Sequence, residues 1–263
     1  MTFFNVKQAR SATISFLALA SVAFTVPAAA TTWDGETSTD WLTGTNWGGN
    51  IAPGPGDAAV INDGGLANQP FLEPGDNSTI ESLALSAGVL TLGGDLTATN
   101  GAVISGTGRL VGILGGSLNG NVDVTGGTVE GNLYISGNLN LGAPSTVLIN
   151  VFAPSLFNQI VIGGNANLGG NLVINLGEYD GTTNVIFDFL TYDSRTAGSM
   201  FESWSVVGLT GLTTSLTYSD TGVRFRVLSA VPEPATWTMM IAGFGMVGGT
   251  IRFRRKQSPR LPA

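Results

Sequence analysis

The sequence predicts an all-β protein, and three observations support this class. Glycine accounts for 38 of the 263 residues, about twice its average share, and charged residues make up only 11%. Between residues 31 and 230, short apolar runs such as TVLINV (146–151) and NLVINL (171–176) alternate with Gly, Asn, Asp and Pro. The same region has no sustained helical periodicity. We therefore expect many short strands joined by tight turns.

Repeated Gly-Asn pairs favour a right-handed β-solenoid (β-helix) over other β folds. A pair opens a strand-like run at 120/121, 131/132, 137/138 and 170/171, and another lies at 164/165. The spacing is irregular, so the repeat is degenerate. In a solenoid, we expect Gly and Asn to adopt left-handed corner conformations while stacked coils bury a narrow apolar core. A β-sandwich with hairpin turns is the alternative, and the longer aromatic strands of the last third favour it.

Residues 1–30 have the pattern of a secretory signal peptide. Lys7 and Arg10 precede an apolar run, and small residues then form an Ala-x-Ala site with Ala28 and Ala30. We expect signal peptidase to cut after Ala30. An N-terminal membrane anchor is the weaker alternative, because the apolar run is short and ends in a good cleavage site.

The charges divide the chain into an acidic middle and basic ends. Residues 31–230 hold 17 acidic residues, four arginines and no lysine, which gives a formal net charge of −13. Such a surface repels phosphate backbones, so nucleic-acid binding is not expected. We expect residues 31–229 to form a β-rich ectodomain outside the inner membrane.

The chain contains no cysteine and no histidine, which excludes disulfide scaffolds, thiol nucleophiles, Cys/His zinc sites and histidine acid–base catalysis. We expect no catalytic residue, no metal site and no cofactor. Two other function classes stay open. Asp188 and Asp193 could belong to an extracellular polysaccharide-active enzyme, which needs opposed carboxylates. The acidic loops at 57–63 and 73–76 could belong to a calcium-dependent carbohydrate-binding module, although EF-hand spacing is missing.

A second apolar segment, residues 235–251, predicts one short transmembrane helix. It carries no charge, and as a helix it would be about 25 Å long, near the lower limit for crossing a hydrocarbon core of about 30 Å. Trp237 lies near its outer end, and the basic cluster at 252–256 follows it, which places the C-terminus in the cytoplasm. A buried core helix is the alternative, but the four glycines of this segment disfavour it.

Residues 232–234 read Pro-Glu-Pro, and they precede the apolar segment and the basic cluster in that order. With these parts, residues 230–256 resemble the PEP-CTERM sorting signal of Gram-negative bacteria. This short module is also called an ice-binding-protein C-terminal domain, but the regular threonine ladder of an ice-binding face is missing from the sequence. The resemblance implies recognition by an exosortase, a membrane protease or transpeptidase that acts at the Pro-Glu-Pro motif, so this triplet would be a substrate site. The resemblance rests on a proline-flanked triplet, a short apolar helix and a basic cluster that would stop translocation: Pro232, Glu233 and Pro234, then Trp237, Gly243, Phe244 and Gly245, then Arg252, Arg254, Arg255 and Lys256.

The middle of the chain opens with Thr32-Trp33-Asp34-Gly35 and contains a Gly- and Asn-rich apolar stretch at 157–176. In these parts it resembles autotransporter-type β-helix passenger segments. The resemblance rests on the tryptophan-rich opening at 32–61 and on FNQIVIGGNANLGGNLVINL at 157–176, which is similar to the part of such passengers where coils end and capping strands begin. Trp33, Trp41 and Trp47 could stack on sugars, but we expect them to cap the open end of the solenoid, because an exposed end needs apolar cover.

Together these features predict a secreted or surface-sorted structural or adhesive protein of the cell envelope or biofilm matrix. Its expected partners are signal peptidase, an exosortase, the inner membrane during export, and exopolysaccharide. If the tail is retained, we expect a single-pass membrane protein with a cytoplasmic C-terminus.

Overall fold

The computed structural model describes residues 30–179, 181, 183–208, 211–228, 238–247 and 252. The predicted β class is confirmed, since almost every described element before residue 229 is a strand. Residue Ala30, at the predicted cleavage site, begins the first strand. Several predicted site residues lie outside the described residues: Ala28, Pro232, Glu233, Pro234, Trp237, Arg254, Arg255 and Lys256.

Within the described residues the chain forms short strands, a 3-10 turn at Gly44–Asn46 and a helical segment at 238–247. The first eleven strands are β1 (Ala30–Thr32), β2 (Ala58–Ile61), β3 (Phe71–Leu72), β4 (Asn77–Ile80), β5 (Ser82–Leu85), β6 (Val89–Leu92), β7 (Asp95–Ala98), β8 (Ala102–Ile104), β9 (Arg109–Gly112), β10 (Ser117–Asn119) and β11 (Val122–Val124). The others are β12 (Thr128–Gly131), β13 (Leu133–Ile135), β14 (Leu139–Leu141), β15 (Thr146–Ala153), β16 (Leu156–Phe157), β17 (Ile160–Asn167), β18 (Asn171–Asn175), β19 (Val185–Arg195), β20 (Ser203–Val207), β21 (Thr213–Tyr218) and β22 (Gly222–Leu228).

The strands stack into three parallel ladders, which we call the first, second and third faces. The first face follows the order β1-β2-β5-β8-β11-β14-β17, the second β3-β6-β9-β12-β15-β18-β20, and the third β4-β7-β10-β13-β17-β19. Each turn of the chain therefore adds one strand to each face, which is a β-solenoid arrangement. A β-sandwich needs antiparallel sheets, so that alternative does not describe these ladders. The right-handed coiling stays a prediction.

Alternation along each short strand separates the core from the surface. Val122, Leu139 and Ala166 are partners in successive coils of the first face, and all three are fully buried. The residues that follow the first two, Asp123 and Asn140, are exposed on the outer side of the same face. Burial of each Val or Leu side chain contributes about 1.5–3 kcal/mol, so the inward rows stabilise the stack.

Coil length varies because one coil carries an insertion. On the first face the partners Ala102, Val122, Leu139 and Ala166 are 20, 17 and 27 residues apart. In the longest of these intervals β15 extends over eight residues and pairs antiparallel with β16, so the chain leaves the solenoid as a hairpin before β17. This insertion explains why the repeat is irregular in the sequence.

Three buried tryptophans close the N-terminal end of the solenoid. The ring centroids of Trp33 and Trp47 lie 5.1 Å apart and those of Trp41 and Trp47 4.7 Å apart, both in edge-to-face geometry. Each indole N–H donates a hydrogen bond. Trp33 donates to the Asn68 carbonyl at 2.9 Å, Trp41 to Ser78 Oγ at 3.0 Å and Trp47 to the Trp41 carbonyl at 2.7 Å. The predicted capping role is thus confirmed, and burial excludes sugar stacking on these rings.

The loop that carries these tryptophans is held by one buried asparagine. Asn46 Oδ1 accepts the backbone N–H groups of Thr37 at 2.9 Å and Ser38 at 2.8 Å. Its Nδ2 donates to Ser38 Oγ at 2.9 Å and to the Asp40 carbonyl at 2.8 Å. All the hydrogen-bonding capacity of this amide is therefore used within the cap.

The C-terminal end is closed by antiparallel strands. β19 pairs in parallel with β17 and also antiparallel with β22, and β22 pairs with β21. Phe187 of β19 stacks on Phe225 of β22 with ring centroids 6.1 Å apart, and Tyr179 and Phe157 contact Phe187 edge-on. The longer aromatic strands of the last third thus form an antiparallel end structure instead of a separate sandwich.

The Trp41→Ala variant tests the tryptophan cap. We expect a loss of about 3–5 kcal/mol of unfolding free energy, because removal of a fully buried indole leaves a cavity and an unpaired Ser78 hydroxyl. Urea unfolding followed by circular dichroism measures the change. Trp204→Ala is the matched control, since Trp204 lies on β20 at the other end and remains 41% exposed. Equal losses in the two variants would contradict a sealing role for Trp41.

Candidate sorting signal and surface grooves

The described part of the predicted transmembrane segment is helical over 238–247. Gly243, Phe244 and Gly245 lie within it, and the Phe244 side chain is 72% exposed. Arg252, the first residue of the basic cluster, is also exposed. Among the described residues, no helix reaches the length and hydropathy needed to span a bilayer. The single-pass topology therefore stays a prediction.

The Gly-Asn pairs mark corners of the solenoid, as expected, but their asparagines act differently from the prediction. Asn121, Asn138 and Asn165 occupy the same corner in three successive coils. Asn121 Oδ1 accepts the backbone N–H of Asn138 at 3.0 Å, and Asn138 Oδ1 accepts that of Asn165 at 2.8 Å. None of the three has a positive φ, so the expected left-handed asparagine is wrong. Asparagine stabilises this corner because its side-chain oxygen accepts a hydrogen bond from a backbone N–H of the next coil.

Glycine is required at one of these pairs for its conformation. Gly131 has φ of +88°, and a Cβ at this position would lie 2.0 Å from the Gly112 carbonyl oxygen of the preceding coil. Two adjacent coils approach closely at this corner, so the residue before Asn132 has to be glycine.

An amide-rich groove of about 330 Å³ follows the outer side of the first face. Asn140 Oδ1 accepts a hydrogen bond from Asn167 Nδ2 at 2.7 Å, so these amides form a ladder between coils. Asp123 is the partner of Asn140 in the preceding coil and provides the groove with one exposed carboxylate. We call this the asparagine groove, and its polar lining is Asn121, Asp123, Asn138, Asn140, Asn165 and Asn167.

A second groove, of about 340 Å³, lies where the hairpin leaves the second face. Glu130 of β12 is 8% exposed, and its Oε1 accepts a bond from Arg109 Nη2 at 2.6 Å. Its Oε2 is buried and has no hydrogen-bond partner among the described residues. We call this the Glu130 groove, and it is lined by Leu114, Glu130, Asn132, Asn150, Phe152 and Asn158, among others.

Sequence reasoning missed Glu130. Acidic residues in this chain mostly mark solvated turns, whereas Glu130 follows the inward-facing Val129 and precedes the Gly131-Asn132 corner. The sequence did contain a signal for it: Glu130 stands between a core position, Val129, and Gly131, where two coils approach closely.

The acidic loops proposed for calcium stabilise their own turns. Asp57 Oδ2 accepts the backbone N–H of Gly54 at 2.8 Å, and Asp63 Oδ1 accepts that of Gly65 at 2.7 Å. Within the part of the chain that the structure describes, no group of three or more acidic side chains is arranged to hold a metal ion.

The two carboxylates considered for an enzyme lie on β19 in different settings. Asp188 Oδ1 accepts a bond from Arg224 Nε at 2.5 Å, and the two residues are cross-strand partners on β19 and β22. Asp193 is exposed further along the strand. The Asp188 side chain is about half exposed, so its outward position explains how a carboxylate is tolerated within the apolar run at 184–190.

Two tyrosines beside Arg195 are held in the neutral form. Burial raises the pKa of Tyr192 and of Tyr218 above the ordinary tyrosine value, although the nearby Arg195 opposes both shifts. The Arg195 guanidinium lies 5.6 Å from the Tyr218 ring centroid, and Tyr192 donates to the Ser219 carbonyl at 2.9 Å. These phenols therefore serve the packing of the C-terminal end as neutral groups.

Comparison with known families supports the reading of the tail. A family profile described as a PEP-CTERM protein-sorting motif matches residues 230–256, the range predicted from the sequence. No curated protein and no solved structure matches the chain. The chain carries this sorting motif, which implies processing by an exosortase membrane protein and sorting to the envelope. The likeness to autotransporter passengers stays a prediction.

The Asn138→Ala variant tests the corner ladder. We expect a loss of about 1 kcal/mol, because the Asn165 N–H loses its side-chain acceptor. Asn140→Ala is the matched control, since its amide bonds only another exposed side chain, and we expect a change within about 0.5 kcal/mol. Urea unfolding of both variants measures the difference. A larger loss in Asn140→Ala would contradict the structural role of the corner asparagines.

Proposed function

We propose that this chain is a non-catalytic structural or adhesive protein that an exosortase sorts to the cell envelope, where its ectodomain associates with exopolysaccharide. The single observation that carries the proposal is the sorting motif at residues 230–256. The catalytic groups for its maturation belong to the exosortase. This chain provides the substrate segment and a stable β-rich cargo.

The tail has the parts that such a substrate needs. Pro232 and Pro234 disfavour helix formation around Glu233, so we expect an exosortase to meet this segment as extended chain, the form that a protease cleft binds. The apolar run after it would hold the substrate at the membrane. The basic cluster at 252–256 would stop translocation on the cytoplasmic side.

The ectodomain suits passive binding in a matrix. Its coils present rows of asparagine and hydroxyl side chains on a backbone that the parallel ladders hold rigid, as in the asparagine groove. Amides and hydroxyls both donate and accept hydrogen bonds, which matches the surface of a polysaccharide. The net charge of −13 over residues 31–230 keeps such a protein soluble outside the cell.

The proposal is tested by intact mass of the protein recovered from the envelope and medium of its native host. We expect the wild-type chain to end near residues 231–234, because the exosortase acts at the Pro-Glu-Pro triplet. The triple variant Pro232→Ala, Glu233→Ala, Pro234→Ala is expected to keep its tail and to stay in the inner membrane.

The matched control is the triple variant Gln257→Ala, Ser258→Ala, Pro259→Ala, which changes three residues just outside the motif. It should be processed like the wild type. An intact tail in the wild-type protein, or the same processing in both triple variants, would contradict exosortase sorting.

A further inference from the structure

The Glu130 groove contains a carboxylate that is buried although it faces outward. Glu130 pairs with Val111 and Leu148 of the neighbouring coils, which occupy the outer side of the second face. Val129, one residue earlier, takes the inward position and is fully buried. Glu130 is nevertheless only 8% exposed, and the hairpin residues Phe152 and Asn158 line the same groove.

One oxygen of this carboxylate needs a donor that the described residues do not provide. Oε1 is bonded to Arg109, whereas Oε2 is buried without a partner. An unsatisfied buried acceptor costs about 1–3 kcal/mol. Groups of this kind are rare in folded proteins and call for an explanation such as a bound molecule. Oε2 itself is covered, but Glu130 lines an open groove, so a rotation of its carboxylate would present this oxygen to a ligand.

The three asparagines around Glu130 have their oxygens occupied. Asn132 Oδ1 accepts the Gln159 backbone N–H at 2.9 Å, and Asn158 Oδ1 accepts the Asn150 backbone N–H at 3.1 Å. Asn150 Oδ1 accepts a bond from Asn175 Nδ2 at 2.8 Å. Among the described residues, these amides leave over their NH₂ donors and one lone pair on each oxygen.

The orientation of the Asn150 amide follows from its hydrogen bond with Asn175. Asn175 Oδ1 is held by the Gly177 backbone N–H at 3.0 Å, so its Nδ2 has to be the donor to Asn150. The backbone N–H groups orient the other two amides directly, because an N–H can only meet the oxygen end. The groove therefore offers one carboxylate acceptor and several amide donors.

The walls of the groove are apolar. Leu114 is 81% exposed at the turn after β9, and Ile113 and the hairpin residue Phe152 line the same space. A volume of about 340 Å³ lies in the range of small-molecule sites. Apolar side chains beside a few convergent polar groups can pack against the C–H surface of a sugar ring while its hydroxyls are bonded.

The hydrogen-bonding pattern decides the ligand class. A calcium ion needs six to eight oxygen ligands, whereas the groove is lined by a single carboxylate, which is already paired with Arg109. An anion would meet that carboxylate and no unpaired cation among the lining residues. A hydroxyl group donates to Oε2 and accepts from an amide NH₂, so it satisfies both kinds of group.

We infer that the Glu130 groove is a binding site for an uncharged sugar residue of a polysaccharide chain. This inference deepens the proposed matrix role by naming a ligand class and a site. It does not depend on how the tail is processed.

The test uses the protein purified from the native host's envelope in a detergent without a sugar headgroup, because alkyl glycosides would compete. The probes are cellohexaose, maltohexaose and mannohexaose as uncharged chains, hexa-galacturonate as a charged chain, and calcium chloride. Isothermal titration measures affinity. We expect saturable binding of at least one uncharged chain, and no binding of hexa-galacturonate or calcium at this groove.

Glu130→Gln and Asn132→Asp are expected to weaken that binding at least tenfold. Glu130→Gln removes the charged acceptor with little change in volume. Asn132→Asp keeps an oxygen for the Gln159 N–H but removes the NH₂ donors. Asn50→Asp is the matched control, because it makes the same change at an exposed turn outside both grooves and should leave affinity unchanged.

Thermal unfolding of each variant checks that the fold is intact. Leu114→Ala is a further test of the groove, because this exposed side chain is not part of the core. We expect Leu114→Ala to weaken binding severalfold. The inference is overturned if no uncharged chain binds, if affinity survives in Glu130→Gln and Asn132→Asp, or if calcium or hexa-galacturonate binds instead. Processing of Glu130→Gln at the tail should match the wild type, so failure of this inference and failure of sorting are distinguishable.

Discussion

The structure depends on one constraint, that every coil returns in register with the coil before it. Val122 lies between Ala102 and Leu139, so an inward residue always meets inward residues and each backbone N–H meets a carbonyl of its neighbour. A shift by one residue would move Asp123 into the core and Val122 to the surface. The turns can vary in length only where register is recovered before the next strand.

Because register is fixed, extra residues have to leave the solenoid. The coil between Leu139 and Ala166 is ten residues longer than the coil before it, and the surplus forms the β15–β16 hairpin. Residues of that hairpin, Phe152 and Asn158, line the groove in which the outward position Glu130 is a buried carboxylate. The Glu130 groove is therefore a consequence of departure from the minimal coil, which is where a solenoid can gain a concave site.

The sequence was sufficient for the fold class and the N-terminal cap, because alternation and tryptophan burial are local consequences of composition. The role of the Gly-Asn pairs could be predicted only in part. Asn121, Asn138 and Asn165 share a corner, but the intervals of 17 and 27 residues hide this until the hairpin is known. Glu130 was missed because the groove that it lines is formed in part by Phe152 and Asn158, more than twenty residues away in the chain. The hydrogen bonds from a backbone N–H to an asparagine side chain of the neighbouring coil could not be predicted either, because they depend on how the coils stack.

Both predicted processing points lie at the margins of the packed structure. β22 ends at Leu228, and Pro232 follows four residues later, so cleavage at the Pro-Glu-Pro triplet would leave the buried Phe225 and Val227 in place. At the other end, a cut after Ala30 would remove one residue of β1, whose partner Ala58 stays bonded to β5. Maturation at these points would therefore cost almost none of the contacts that stabilise the solenoid. This is what an exported cargo needs if it is to fold before its tail is processed.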